Sequence, residues 1–149
     1  MTNIEQFQKF LDKHDIRHFS ALEVFFRGGR DSTLRLNTEP PKLIWDNIIP
    51  TLTVLDRLRR DLHRPVRLLS IYRSPAYNKA IGGVCYSQHI EFTACDITVK
   101  LTSPITVYSL LKKYRKEGLF EGGLGHYSGF VHIDTRGSNA TWSGSGVSI

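Results

Sequence analysis

Hydrophobic positions fall into two regimes along this chain, with helical spacing in the first half and alternation in the second. Ile4, Phe7 and Leu11 stand three and four residues apart behind a Thr2-x-x-Glu5 capping box, which predicts an opening helix. The signal recurs at Ser20-x-x-Glu23 before Val24-Phe25-Phe26, a short element that Gly28-Gly29 would stop. Residues 30–42 are polar, end on Pro40-Pro41 and read as an ordered loop. The strongest stripe is Ile48, Leu52, Leu55, Leu58 and Leu62, with Asp56, Arg57, Arg59, Arg60 and Asp61 on the other side. It predicts an amphipathic helix that Pro50 either starts or kinks and that Pro65 ends.

Val66 to Tyr72 reads as a strand, followed by a short helix with Ser74 as N-cap, Pro75 in its first turn and Gly82-Gly83 as stop. Residues 94–100 alternate as a second strand. Ser103-Pro104 opens a helix bearing Val107, Leu110, Leu111 and Tyr114, which ends at Gly118. Gly122–Tyr127 and Phe130–Arg136 form a hairpin across Ser128-Gly129. Early helices and late strands predict an α+β fold with a small antiparallel sheet. The length, 149 residues, suits one domain, 1–149. Residues 1–42 form an N-terminal helical extension and 137–149 a Ser/Gly-rich tail that Trp142 would pin.

Composition changes this picture little. At 40% hydrophobic and 23% charged, the chain is not disordered. A net charge of +6 and a pI near 9.5 admit an anionic partner: nucleic acid, a membrane surface or a cell-wall polymer. Arg57, Arg59, Arg60, Arg64 and Arg67 could form a nucleic-acid face, although such a run is more often the solvated side of a core helix. No apolar run approaches the ~18 residues of a membrane span. Met1 to Phe10 lacks the basic start and apolar stretch of a signal peptide, so cytoplasmic synthesis is expected. Cys85 and Cys95 are too few for a disulfide scaffold; one bridge between them stays open, but two reduced, partly buried thiols are expected.

Alternation also groups the residues able to do chemistry. Asp96 shares a strand face with Ala94 and Thr98, and His132 shares one with Phe130 and Asp134. His89 precedes Asp96 by seven residues, close enough for a loop to fold it back. Two imidazoles and a carboxylate are a donor set for catalytic zinc with one position left open. The His-x6-Asp spacing is common by accident, so its company decides its meaning.

That company is Tyr72-Arg73-Ser74-Pro75-Ala76-Tyr77-Asn78, Ile81-Gly82-Gly83, Ser87-Gln88-His89 through Ala94-x-Asp96, Gly122-Gly123-Leu124-Gly125 and Phe130-Val131-His132-Ile133-Asp134. In this order the motifs resemble the M15 family of zinc peptidases, which comprises D-alanyl-D-alanine carboxypeptidases, murein endopeptidases and phage endolysins. The resemblance runs from about Asn47 to Thr135. It implies a hedgehog/DD-peptidase-like fold and a Zn2+ held by His89, Asp96 and His132. It further implies that Arg73 holds a substrate carboxylate and that Ser87 is the site serine. The implied substrate is a peptidoglycan peptide, met by a monomer that needs no nucleic acid. Action at the bacterial cell wall would follow. The lack of a signal peptide suits either a phage lysin or virion-associated protein released by another device or a bacterial protein exported unconventionally.

Two departures stand out. Phe92 occupies a position where the pattern has glycine, which would reroute the loop or narrow the pocket. Gly129 and Phe130 stand where relatives keep an acid or a histidine, so the resemblance assigns no general base. His126 and Asp134 are the candidates. A strict two-residue hairpin would pair His126 with Val131 and turn it from His132, whereas a three-residue turn would bring it onto the metal face. Asp134 would act directly or only orient His132. Two other readings stay open: a non-catalytic zinc-containing wall-binding module, and a basic nucleic-acid binder.

Overall fold

Both predicted capping boxes form. Thr2 Oγ1 accepts the Glu5 N–H at 3.2 Å while Glu5 Oε2 accepts the Thr2 N–H at 3.1 Å, starting α1 (Asn3–Lys13). Ser20 and Glu23 repeat the exchange at α2 (Ala21–Val24). The computed structural model describes residues 1–26 and 36–144; Gly28-Gly29 and the first half of the expected 30–42 loop lie outside them. A 3-10 segment (Lys42–Ile48) leads into α3 (Ile49–Leu62), where Pro50 sits in the first turn and starts the helix rather than kinking it.

The remaining elements are β1 (Val66–Ser70), α4 (Pro75–Ala80), β2 (Ala94–Val99), α5 (Pro104–Lys116), β3 (Gly123–His126), β4 (Val131–Asp134) and β5 (Ala140–Ser143). The fold is α+β, as expected, with sheet order β1-β2-β4-β3-β5. Four strands are antiparallel to their neighbours in the predicted way, but β5 runs parallel to β3 and makes the sheet mixed. Local composition gives no hint of β5, because its partner lies across a connection the sequence pattern does not encode. No helix among the described residues is long and apolar enough to cross a membrane.

One face of the sheet carries Cys95, Ile97, Leu124, Val131 and Ile133 into a core shared with Leu52, Leu55 and Leu58 of α3 and Val107 and Leu111 of α5. Thr51 of α3 ties the sheet down: its hydroxyl donates to the Thr93 carbonyl at 2.6 Å and meets Thr135 Oγ1 at 2.8 Å. The basic face of α3 is partly engaged. Arg57 bonds Asp61 at 2.8 Å, and Arg64 reaches the Leu101 carbonyl at 2.8 Å.

The N-terminal helices are built into this same core. Phe7 stacks on Phe25 at 4.5 Å and meets Trp45 edge-on at 5.0 Å. It also approaches Phe92 at 6.2 Å, and Phe92 in turn meets Tyr72 edge-on at 6.0 Å. Phe92 has φ 59, the left-handed region that glycine enters freely and a bulky residue enters at a cost of roughly 1–2 kcal/mol. Its ring is fully buried, so the backbone keeps a glycine-type turn while the side chain fills core instead of pocket. Emptying such a site costs about 3–5 kcal/mol, more than the strain relieved. Phe92→Gly should therefore lower unfolding stability by roughly 1–4 kcal/mol, read as a lower urea midpoint. A glycine variant at least as stable as the wild type would show that strain outweighs burial.

Candidate metal centre

Strand register assembles the centre. Asp96 of β2 pairs directly with His132 of β4, so alternation places both side chains on the sheet face opposite the α3/α5 core. His89 arrives from a tight loop. Its N–H donates to Ser87 Oγ at 3.2 Å, and its carbonyl accepts the Arg73 N–H at 3.1 Å and the Phe92 N–H at 3.3 Å. The side chains of His89, Asp96 and His132 are buried, and one donor atom from each lies within 4.8 Å of the others.

Each imidazole has one nitrogen turned inward and the other held from behind. His89 Nε2 stands 3.3 Å from Asp96 Oδ2, while its Nδ1 lies 2.6 Å from the Ile71 carbonyl. His132 Nδ1 stands 3.0 Å from Asp96 Oδ1, while its Nε2 lies 2.7 Å from Asp134 Oδ2. The Ile71 contact explains why β1 stops at Ser70 rather than continuing to Tyr72. The β1–β2 register shifts between Leu68 and Ser70, and the carbonyl that follows serves His89. Such partners fix which nitrogen keeps its proton and leave the inward lone pair free for a cation. The donor set, two nitrogens and one oxygen, fits zinc chemistry. Neither thiol joins it: Cys95 is buried on the core face, where burial pushes its pKa up, and Cys85 is exposed.

Electrostatics follow from burial and pairing. Burial pushes the Asp96 carboxyl up, but its close pairing with the imidazoles of His132 and His89 outweighs it and holds Asp96 below the usual carboxylate range. Burial lowers His89, outweighing the help of Asp96, and keeps that ring neutral near pH 7. Burial also lowers His132, yet the carboxylates of Asp134 and Asp96 win and leave it raised. Asp134 is fully enclosed and would be pushed up, but Arg136, His132 and the Gly123 N–H hold it down. Arg136 grips it with Nε at 2.8 Å and a second nitrogen at 2.7 Å.

The three residues line a cleft of about 510 Å³ together with Arg73, Ser87, Tyr86, Tyr127, Phe130, Arg136 and Trp142. Arg73 lies 3.5 Å from Asp96 Oδ2 and is braced by Ser70 at 3.3 Å and Asn78 at 3.4 Å. His126 is not brought in. Tyr127 N–H bonds the Phe130 carbonyl at 3.1 Å, making the two-residue turn, and His126 pairs with Val131. Its ring therefore faces the core and stacks on Tyr108 of α5 at 5.0 Å. Asp134 does share the site side, but it stands behind His132 rather than open to the cleft.

Arg136, Tyr127 and Trp142 are the site neighbours that sequence reasoning missed. Arg136 continues the alternation of His132 and Asp134 and was within reach of that rule. Trp142 was not, since its place depends on β5.

A family model for peptidase M15 matches residues 18–134. The chain belongs to the peptidase M15 family. The match starts well before the first motif, so it takes in α2 and α3 and ends at Asp134, short of β5. No curated protein and no solved structure matches the chain. M15 peptidases are metallo-enzymes, and among the described residues the His-Asp-His group is the cluster that could bind a metal. Phe92, where glycine is expected, is left-handed and lies outside the cleft lining, so it neither narrows the pocket nor abolishes the turn.

Removing the Asp134 charge while keeping its shape tests this bracing. Asp134→Asn should cost roughly 2–4 kcal/mol at neutral pH, the Arg136 side of the pair being partly open to water. A depressed folded pKa gives stability that is present above the unfolded value, about 3.9, and lost as pH falls through the folded one. The deficit of the variant in urea unfolding should thus narrow below about pH 4. A deficit that is small at pH 7 or unchanged by acid would contradict it.

Proposed function

We propose that this M15 chain is a zinc-dependent peptidase that hydrolyses peptidoglycan stem or cross-link peptides at bonds involving D-amino acids. The observation that carries the reading is the convergence of His89 Nε2, His132 Nδ1 and the Asp96 carboxylate on the floor of an open cleft. When bound there, zinc supplies Lewis acidity, bringing the pKa of a coordinated water toward 7 and polarising a peptide carbonyl.

The chain's own residues prepare that chemistry. The Ile71 carbonyl would hold the Nδ1 proton of His89 and Asp134 the Nε2 proton of His132, so that both inward nitrogens, now turned to Asp96, could present lone pairs to a bound metal. Asp134 is in this reading a positioning residue, because Arg136 fixes it in place and it has no exposure to the cleft. His126 drops out as the proton carrier, since its ring stacks on Tyr108 behind the sheet. Arg73 offers a planar fork at the cleft wall, suited to a peptide carboxylate, and Ser87 braces the backbone of His89. Tyr127 Oη already accepts the indole N–H of Trp142 at 2.9 Å, which leaves its own O–H free to donate to a developing oxyanion. The net charge of +6 suits an anionic wall.

A second reading, a wall-binding module without catalysis, draws on one observation. Among the described residues that line the cleft, Asp96 is the only carboxylate.

Mass spectrometry of muropeptides separates the two. Wild type should release products, lose activity in chelator and regain it with zinc, while Asp96→Ala and His132→Ala release none. Zinc bound by the wild type with no cleavage would favour the binding module. Acid should also displace the metal. Because the pKa of His132 is raised above the ordinary value of about 6.5, protons compete at a higher pH than for an ordinary histidine. Zinc affinity should already be weakening above about pH 6.5 and fall further below it. An affinity that stays flat between pH 7.5 and 5.5 would argue against His132 as a ligand.

A further inference from the structure

A single transverse row crosses the sheet through the metal centre. Ser70 pairs with Asp96, Asp96 with His132, His132 with Gly125, and Gly125 with Trp142 of β5. Residues directly opposite in a sheet share a face, so Trp142 rises from the same surface as the candidate ligands, with a glycine between it and His132.

The glycine is what lets the indole reach across. A Cβ at Gly125 would lie 2.4 Å from Trp142 Nε1, and one at Gly123 would lie 2.9 Å from the far edge of the same ring. With both positions bare, the indole lies over the sheet and its ring approaches that of His132 at 5.0 Å. The other ring near His132 is His89 at 5.2 Å. Two further contacts hold the indole: its N–H donates to Tyr127 Oη at 2.9 Å, and the Arg136 guanidinium sits 5.4 Å over it. Trp142 touches His132 directly and also touches Arg136, which holds Asp134, which holds the remote nitrogen of His132.

We propose that Trp142 is a positioning residue of the metal centre, and that β5, outside the region matched by the family model, is a working part of the site. The indole covers the His132 ring and one face of the Arg136 guanidinium, limiting the access of water to a hydrogen-bond chain that gains strength in a dry setting. It also walls the cleft beside Tyr127 and Phe130, whose rings stack at 4.4 Å. This inference rests on the metal-centre part of the proposed function and not on cleavage.

The test measures zinc affinity, by competition with a chromophoric chelator, for the full chain and three variants. Trp142→Ala should bind zinc about 10- to 100-fold more weakly, the cost typical of removing an outer support of a ligand. Gly125→Ala, which keeps the indole but displaces it, should lose a comparable factor. Trp142→Phe, which keeps an aromatic face on His132, should recover most of the affinity. Cobalt supplies a second readout: its binding should quench part of the indole fluorescence of the wild type. That quenching should vanish in Trp142→Phe while the visible bands of bound cobalt persist, Trp45 lying in the N-terminal aromatic cluster.

If Trp142→Ala is unfolded by circular dichroism, Gly125→Ala and the cobalt experiment decide. A folded Trp142→Ala or Gly125→Ala with wild-type zinc affinity would overturn the proposal and leave Trp142 as a mere anchor for the tail. Cobalt quenching that survives in Trp142→Phe would do the same. Wild type that binds zinc without cutting muropeptides removes the peptidase reading alone, whereas wild type that takes up no metal removes both.

Discussion

An ionised carboxylate largely removed from water, that of Asp96, is the constraint on which the rest of this structure depends. A bare buried carboxylate is so costly that it would take up a proton, unless partners within hydrogen-bond reach favour the charge. Asp96 has three, with His132 at 3.0 Å, His89 at 3.3 Å and Arg73 at 3.5 Å. A chain that concentrates buried polar groups this way gives up stability that well-packed apolar residues would supply more cheaply. The retained charge makes sense as half of a cation site. The imidazoles lean toward the same point as the carboxylate, with their outer nitrogens already committed elsewhere.

The fold supplies this arrangement by simple geometry. Strand alternation sends Asp96 and His132 to one face and Cys95, Ile97, Val131 and Ile133 to the other, so the ligand face is backed by rigid core. Thr51 pins α3 to the residues flanking β2 and β4. The loop that carries His89 has no strand partner and depends on other anchors: the Ile71 carbonyl, the Arg73 amide and the buried ring of Phe92. Through Phe92, the aromatic cluster of the N-terminal helices supports the first ligand, although those helices stand far from it in sequence. This is why α1 and α2 belong to the site's foundation and not to an appendage.

Much of this was legible in the residues. Capping boxes, a five-residue apolar stripe and period-two runs located α1, α2, α3, α5 and the four antiparallel strands, because each is specified locally. Alternation alone put Asp96, His132 and Asp134 on a common face. Three features escaped, each for its own physical reason. β5 pairs with β3 across the β4 hairpin, and a Ser/Gly-rich segment with one tryptophan carries no sign of its partner. The side of the sheet taken by His126 hung on a single residue of turn length, which the Tyr127–Phe130 hydrogen bond fixes at two. Phe92 looked like a disruption of a glycine position, but a left-handed turn can be held by a bulky residue when burial of its ring exceeds the strain.

The coordination sphere of the zinc-loaded chain tests the central claim most directly. X-ray absorption at the zinc edge, combined with metal content per chain, should find one zinc bound by two imidazoles and oxygen, with metal–ligand distances of about 2.0–2.2 Å. Scattering from sulfur at about 2.3 Å would place the metal on a cysteine instead. That result, or a sphere holding fewer than two imidazoles, would contradict the site built around Asp96.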